Sequence, residues 1–384
     1  MKIAYCLNSI RGGGGIERVT IKKANSLSEI EGNQVFVLVT DHKRGQTIDA
    51  LNEKVTLIDL DVNYYDDDWQ KGWKSRVSQF RKKKEHKNKL RETLNRITPD
   101  VLIAVGQSEK FFLTKGFLKN SSTVYIRELH FATNYRILLA KSLKERLIGR
   151  IQNFFDFQLM CRLYDAVVCL TPEDLQANWQ GRANAYFIPN PLTIDFPIEV
   201  KSNDDKKIIS LGRLTPQKNY SSLIRSFSKV AHDFPEWTVE IYGSGSQHHY
   251  LEGVIDHLEL TERVKLMGYA DAACSKLNSA QFFVLTSIME GFALVLLEAM
   301  AHGLPVISYD CPFGPSFIIQ PENGLLIPIN DELKLSQAME YLMREHEVRK
   351  EMGHHARLRA QEFLPEIIAE QWMTLFNNLI KQKG

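Results

Sequence analysis

Short apolar runs alternate with longer segments of helical period along the whole chain, and this alternation predicts repeated βα units. In such units the strands pair in parallel and helices cover the sheet. The strands predicted in the first half are Ile3–Leu7, Val35–Val39, Val55–Leu60, Val101–Val105, Thr123–Ile126 and Ala166–Leu170. The helices predicted between them are Ile16–Ser28, Ser75–Arg96, Ser108–Leu118, Ile137–Leu159 and Pro172–Asn178.

A polar interruption separates this series from a second one. Ile188-Pro189-Asn190-Pro191 precedes the charged run Lys201–Lys207, and prolines bias their neighbours to extended backbone. The strands predicted after it are Lys207–Leu211, Thr238–Tyr242, Val264–Met267, Phe282–Leu285, Pro305–Ser308 and Leu325–Ile327. The helices are Tyr220–Asp233, Gln247–Leu258, Leu294–Ala301, Glu332–Met343, Val348–Phe363 and Glu366–Lys381.

These two series predict an α/β protein of two doubly wound, Rossmann-like domains that face each other across a cleft. We expect the domains to span residues 1–192 and 193–365. The C-terminal helix, residues 366–384, is expected to pack back towards the first domain.

Composition excludes several classes of protein. With 384 residues, 44% hydrophobic and 24% charged, the chain is typical of globular proteins and unlike disordered ones. Its apolar runs are too short to span a membrane. The five cysteines are scattered without a C-x-x-C pair, so a disulfide framework and a structural zinc site are disfavoured. A reducing cytoplasm is the expected compartment.

Charge is unevenly divided between the two halves. Residues 1–200 carry 30 Lys and Arg against 23 Asp and Glu, a net +7, whereas the remaining residues carry 18 against 23, a net −5. A basic first half suggests an anionic partner.

The four glycines Gly12–Gly15 follow the first predicted strand and precede a helix. Backbone amides there approach a ligand closely, and a helix N-terminus favours an anion, so this turn is a candidate phosphate cradle. A flexible tight turn is the alternative. The run matches neither G-x-G-x-x-G nor a P-loop, which disfavours an NAD dehydrogenase.

Two loops of the second series are also candidate phosphate-binding loops. Arg213 and Lys218, after Gly212, lie on one strand-to-helix loop and could clamp a diphosphate, or could be two solvated cations. Gly243 and Gly245 follow the next strand and are expected at the same sheet edge. That G-x-G pattern alone is weak and often marks only a turn.

The segment from Glu290 to Val306 gives the strongest indication of a ligand-binding site. Glu298 lies in an apolar helix, where a carboxylate needs a partner; a vicinal diol or a buried ion pair would serve. Glu290 precedes that helix, where it could reach a ligand bound at the N-terminal amides or cap the helix.

Glu290-x7-Glu298, the G-R-L-x-x-x-K loop and the Gly-rich first turn together resemble the family 4 retaining glycosyltransferases of GT-B fold. The stretches Ser308–Pro315 and Glu322–Leu326 are similar to bacterial members that build capsules, O-antigens, lipid-linked glycans or teichoic-acid decorations. The resemblance implies transfer of a hexose or N-acetylhexosamine from a nucleotide sugar, most often a UDP-sugar, with retention of configuration. The acceptor would be a cell-surface glycan or a lipid-linked oligosaccharide, and no cofactor or metal would be needed.

The resemblance also implies roles for individual residues. Glu298 would hold the donor ribose, and Glu290, Arg213, Lys218 and His130 form the implied catalytic set. His130 is also explained by a purely structural role. The implied donor-binding residues are Gly13, Gly14, Gly212, Arg213, Lys218, Gly243, Gly245, Glu290, Gly291, Phe292, Ala293, Leu294, Val295 and Glu298.

Two rival functions share this fold: a sugar-nucleotide epimerase, which needs no acceptor, and a catalytically silent binding subunit. Loss of Glu290 or of the Arg213–Lys218 pair would have favoured the silent subunit, and all three residues are present. Asp66-Asp67-Asp68 resembles a metal motif, but it lies in a polar loop of the first half, so we predict no metal site.

Two segments could lie on an anionic membrane. Lys71–Arg96 holds eleven Lys and Arg against two Glu, and Tyr135–Phe155 mixes cations with apolar residues. For the second segment the favoured alternative is a helix whose apolar face packs inside the domain. No nucleic-acid motif accompanies the charge. We therefore expect a cytoplasmic protein that is peripheral on the inner face of the membrane.

Overall fold

The computed structural model describes most of the chain as two compact units. One unit comprises residues 1–193 and 365–384, and the other comprises residues 194–364. The described residues are 1–11, 14–41, 51–64, 73–106, 108–120, 122–140, 142–199, 205–269 and 273–383, with the backbone alone at 73–76 and 273–275.

The first unit is built on a parallel seven-stranded sheet. Its strands are β1 Lys2–Leu7, β2 Gln34–Val39, β3 Val55–Asp59, β4 Val101–Ala104, β5 Val124–Glu128, β6 Ala166–Cys169 and β7 Ala185–Phe187. They lie in the order β3-β2-β1-β4-β5-β6-β7. Its helices are α1 Gly15–Glu29, α2 Trp73–Ile97, α3 Tyr135–Leu138, α4 Leu143–Asn153, α5 Pro172–Trp179 and the C-terminal helix Pro365–Lys383.

The core of this unit explains why its strands are continuous apolar runs. Parallel strands are covered on both faces, so both sets of alternating side chains are buried. Ile3 of β1 and Ile21 of α1 share one cluster with Trp372 and Phe376 of the C-terminal helix. That helix, the last in the chain, is therefore an integral part of the first unit's core.

The second unit is built on a parallel six-stranded sheet. Its strands are β8 Lys207–Leu211, β9 Thr238–Tyr242, β10 Val264–Gly268, β11 Phe282–Leu285, β12 Val306–Tyr309 and β13 Gly324–Ile327. They lie in the order β10-β9-β8-β11-β12-β13. Its helices are α6 Tyr220–Ser228, α7 His248–His257, α8 Leu294–Ala301, α9 Pro315–Ile318, α10 Glu332–Arg344 and α11 His346–Gln361.

The helix predicted over Ser108–Leu118 is wrong, since the structure has turns there. The Lys115 N–H donates to the Leu163 carbonyl at 2.9 Å instead of to the preceding turn, and Gly116 has φ +81°. Contacts with a distant segment thus replace the helical hydrogen bonds.

The single helix predicted over Ile137–Leu159 is also wrong. The segment divides into α3, α4 and a π-helical turn, Phe154–Leu159. The Ser142 side chain accepts a hydrogen bond from the Glu145 N–H at 3.2 Å and begins a new helix. Ser142-x-x-Glu145 is a capping-box pattern, so the sequence did carry this start signal.

Candidate functional site

The site of the second unit lies where the order of its strands reverses. β8 and β11 are neighbours in the middle of the sheet. The chain proceeds from β8 through β9 to β10 at one edge, and from β11 through β12 to β13 at the other. In open α/β sheets the carboxyl ends of two such strands form a crevice that receives ligands. The loops after β8 and β11, residues 212–219 and 286–293, begin at this point.

Three hydrogen bonds hold these two loops together. The Gln217 Nε2 donates to the Met289 carbonyl at 2.7 Å, and the Ile288 N–H donates to the Gln217 carbonyl at 2.9 Å. The Thr286 hydroxyl donates to the Lys218 carbonyl at 3.0 Å. Their relative position is therefore fixed before any ligand binds.

Lys218 and Glu290 form an ion pair across the two loops. The Lys218 Nζ lies 2.7 Å from the Glu290 Oε1, and both side chains are largely buried. An ammonium group has three donors, so two remain for another acceptor. The structure thus brings together two residues that are 72 positions apart in the sequence.

Arg213 is exposed at the start of the same loop. Within the described part of the chain, its guanidinium makes no hydrogen bond or ion pair. Its planar fork of donors suits a phosphate group. It is therefore available to an anionic ligand at no cost to the fold.

Gly212 and Gly243 allow the loops after β8 and β9 to meet backbone to backbone. They have φ +152° and +148°, and a Cβ on Gly243 would lie 1.9 Å from the Gly212 carbonyl oxygen. A Cβ on Gly245 would lie 2.3 Å from the Leu214 carbonyl oxygen. These glycines are explained by packing, and ligand contact by them stays a prediction.

The N-terminus of α8 completes the site in the second unit. Ala293 adopts a left-handed conformation, φ +60°, and the helix begins at Leu294. The first amides of a helix lack partners within it and attract an anion. Gly291 and Val295 belong to this turn, and Phe292 is buried against the rings of Phe317 and Phe363.

Glu298 lies within α8, one turn beyond the helix start. It is 4% exposed among the fully buried Leu297 and Met300. Its backbone carbonyl accepts a hydrogen bond from the His302 Nδ1–H at 2.8 Å. The deep position of this carboxylate agrees with the sequence interpretation that it needs a polar partner.

Sequence reasoning missed two hydroxyl groups near these loops. Those of Tyr220 and Ser287 are buried, and the Ser287 hydroxyl has no hydrogen-bond partner among the residues that the structure describes. The Tyr220 hydroxyl lies 2.8 Å from where a Cβ of Gly212 would stand. A Tyr at the first position of α6 is typical of a core residue, so no sequence pattern marked its hydroxyl as a candidate site group.

His130 follows β5 in the first unit and is embedded in a charged array. Its Nε2 lies 3.3 Å from the Glu128 Oε1, and the Lys23 ammonium contacts the same oxygen. Both Lys23 and Glu128 are 1% exposed. Burial lowers the pKa of His130 to about 4, so the imidazole is neutral at pH 7.

His130 also lines a small pocket in which charged side chains are mixed with aromatic ones. Lys110, Arg127 and Arg136 contribute cations to it, and Asp156 binds Lys110 at 2.8 Å and Arg136 at 2.6 Å. The array around Glu128 supports a structural role for the histidine, and the pocket supports a ligand role. His130 thus belongs both to the charged array and to the wall of the pocket.

Several predicted residues fall partly or wholly outside the described part of the chain. Gly13 and the Asp66–Asp68 run lie outside it, as does Lys71 at the start of the basic segment. Gly14 is described and precedes α1 as its N-cap residue. A Cβ on Gly14 would lie 2.3 Å from a carboxylate oxygen of Glu17.

The favoured alternative for Tyr135–Phe155, a helix with its apolar face packed inside the domain, is wrong. α4 buries only Gly149 and Asn153, and its large apolar side chains are exposed. The helix is held by polar contacts, which the apolar pattern alone does not reveal.

Comparisons with known proteins match the part of the chain that carries these loops. Residues 193–359, which include both loops and α8, match the family model described as Glycosyl transferases group 1. An uncharacterized glycosyltransferase of Haemophilus influenzae is 25% identical over 97% of this chain and 98% of its own length. A crystal structure of an S. aureus TarM variant in complex with UDP and α-GlcNAc-glycerol has a TM-score of 0.75 at 15% identity, covering 98% of this chain and 99% of that one.

These matches support a glycosyltransferase of GT-B fold. The Campylobacter jejuni N-acetylgalactosamine-N,N'-diacetylbacillosaminyl-diphospho-undecaprenol 4-alpha-N-acetylgalactosaminyltransferase is 31% identical over 41% of this chain and 43% of its own length. The name of this relative gives a lipid-linked sugar as its acceptor. Among the described residues, no helix combines the length and apolar character that a membrane crossing requires.

Proposed function

We propose that the protein is a family 4 retaining glycosyltransferase that uses a UDP-sugar. It would move a hexose or N-acetylhexosamine to a cell-surface glycan or a lipid-linked oligosaccharide. The observation that carries this proposal is the Lys218–Glu290 pair at the strand-order reversal, with the unengaged Arg213 guanidinium on the same loop.

Each member of this group has a chemical task in the proposed reaction. Arg213, the free donors of Lys218 and the first amides of α8 bind the donor diphosphate and stabilise the charge that develops on it. Glu290, held by Lys218, accepts hydrogen bonds from sugar hydroxyls. Glu298 accepts from the two ribose hydroxyls.

Retention follows from attack on the face that the leaving group occupies. The acceptor oxygen bonds to the anomeric carbon as the carbon–oxygen bond to the diphosphate breaks, and the acceptor proton passes to the departing phosphate oxygen. This route needs no protein base, which suits a site where the one described carboxylate between the loops is paired with Lys218. The alpha linkage named for the Campylobacter relative supports retention from an α-linked donor.

A nucleotide panel tests the donor. We expect UDP and one UDP-sugar to raise the melting temperature, because a ligand at 100 times its dissociation constant stabilises the folded state by about 2.7 kcal/mol. GDP and dTDP at equal concentration are the controls. Stabilisation by those nucleotides alone would exclude a UDP-sugar donor, and an inverted anomer in the product's NMR spectrum would exclude retention.

We predict that transfer survives EDTA, because Arg213 and Lys218 already supply positive charge for the diphosphate. One described group, His248, His249 and Glu252 on α7, has the spacing to hold a metal. The rate is measured after dialysis against EDTA, with the double variant His248→Ala/His249→Ala as control. A strict requirement for Mn²⁺ or Mg²⁺ in the chemical step would contradict the prediction.

We further propose that the enzyme works on the inner face of the membrane, where a lipid-linked acceptor resides. The diphospho-undecaprenol acceptor named for the Campylobacter relative supports this. The exposed cations Arg81, Lys83 and Lys84 of α2 suit an anionic surface. Lys82 instead donates to the Asn63 carbonyl.

A further inference from the structure

α4 is attached to its unit through its polar side. Asn153 donates from Nδ2 to the Thr133 carbonyl at 3.0 Å and accepts from the Arg136 Nη1 at 3.0 Å. Gly149 lies against Arg136, so closely that a Cβ there would meet the Arg136 Cβ at 3.2 Å. A small residue and an amide thus take the place that large apolar residues fill in an ordinary surface helix.

The apolar side of α4 consequently faces solvent. Leu143, Leu147 and Ile151 lie on one face at four-residue spacing and are 85%, 61% and 51% exposed. The π-helical turn continues this surface with Phe154 and Phe155, which are 53% and 54% exposed. Neighbouring exposed residues are Phe131, Leu138, Leu139, Ile148, Leu159 and Leu163.

Exposed apolar side chains concentrated in one segment mark a contact site with a partner. We call it the 131–163 surface. Cations accompany it on α4: Lys144, Arg146 and Arg150 are exposed, against the single acid Glu145. Leucine, isoleucine and phenylalanine on one side of a helix with Lys and Arg beside them are typical of helices that lie in a membrane interface.

We propose that the 131–163 surface inserts into the headgroup region of an anionic membrane. Charge selects this partner over a second copy of the chain, because a self-complementary contact would bring the same three cations together. This inference rests on the proposed function, because a lipid-linked acceptor gives the enzyme a reason to contact the membrane. Membrane binding through this surface differs from binding through α2, because apolar side chains enter the membrane here whereas α2 would adsorb by charge alone.

The 131–163 surface adjoins a small pocket of the first unit. α3 and the π-helical turn, which carry exposed apolar residues, also line this pocket through Tyr135, Arg136 and Asp156. Lys110 and Arg127 line the same pocket. These cations are already matched within the unit, since Asp156 pairs with Lys110 and Arg136, and Arg127 donates to the Ala104 carbonyl. Contact with the membrane is therefore assigned to the exposed apolar side chains and the cations of α4.

The proposal is tested by co-sedimentation of the full chain with two kinds of vesicle, phosphatidylcholine alone and an equimolar mixture with phosphatidylglycerol. We expect binding to the anionic vesicles, and a drop of roughly tenfold or more in the partition coefficient of the variant Leu143→Ser/Leu147→Ser/Ile151→Ser, since three apolar side chains leave the interface. The matched control is Leu333→Ser/Leu358→Ser, which changes two exposed leucines elsewhere and should bind like the parent.

Tryptophan fluorescence measures the insertion of the 131–163 surface separately from binding. The variant Leu147→Trp should gain fluorescence that brominated lipids quench, relative to the parent with its own tryptophans. The charge variant Arg81→Glu/Lys83→Glu/Lys84→Glu on α2 should retain this quenching.

Three outcomes would overturn the proposal: no binding of the parent to anionic vesicles, unchanged binding of the triple serine variant, or conversion of a dimer to a monomer by that variant without any effect on vesicles. UDP binding, measured on the same preparations, separates these outcomes from a failure of the proposed function. A chain that binds vesicles through Leu147 but no nucleotide would refute only the latter.

Discussion

Replacing Arg213 with alanine should lower kcat/KM for sugar transfer by roughly ten- to a hundredfold, because a hydrogen bond to a charged group contributes about 1.5–3 kcal/mol and about 1.4 kcal/mol is tenfold in rate. The melting temperature of the apoprotein should not change. The guanidinium is exposed, and in the described parts of the chain it has no partner to lose. Steady-state kinetics with the best UDP-sugar measures the effect.

Lys218→Ala is the companion variant, and we expect it to lower kcat/KM for sugar transfer at least as much as Arg213→Ala does. It removes a phosphate donor and also leaves the largely buried Glu290 carboxylate without its 2.7 Å partner. The exposed Lys229 at the end of α6 provides the matched control, Lys229→Ala, which should keep parental kinetics. Near-parental values for both Arg213→Ala and Lys218→Ala would remove the diphosphate site from the proposal.

Replacing Glu298 with glutamine should weaken UDP binding by roughly tenfold or more, because the ribose hydroxyls lose a charged acceptor worth about 1.5–3 kcal/mol. The side chain is 4% exposed and of similar shape in the variant, so the packing of α8 is preserved. Isothermal titration calorimetry measures the dissociation constant.

A nucleotide analogue separates this role from a general effect on the fold. The parent should bind 2′,3′-dideoxy-UDP much more weakly than UDP, whereas Glu298→Gln should bind the two with similar affinity. Equal discrimination by parent and variant would show that Glu298 does not contact the ribose, whatever the absolute affinities.

The strands and α8 could be predicted from the sequence because burial on both faces of a parallel sheet requires uninterrupted apolar runs. Phe282–Leu285 and the helix Leu294–Ala301 have the bounds that the pattern predicts. The loops after β8 and β11 follow from the same alternation, because parallel strands bring their carboxyl ends to one edge. The sequence therefore indicated which loops meet at the carboxyl edge of the second sheet.

Other features depend on pairs of residues far apart in the chain, which no local pattern relates. Lys23 and Glu128 pair across 105 positions and surround His130 with charge, and Gln217 joins its loop to Met289 across 72. The outward apolar face of α4 was likewise decided by its neighbours: Thr133 and Arg136 bind the polar side of the helix and turn Leu143 and Leu147 towards solvent. Local sequence determined the strands, α8 and the order of the loops, because short-range periodicity follows burial; only the tertiary structure decided which side chains meet, because packing brings together residues that the sequence separates.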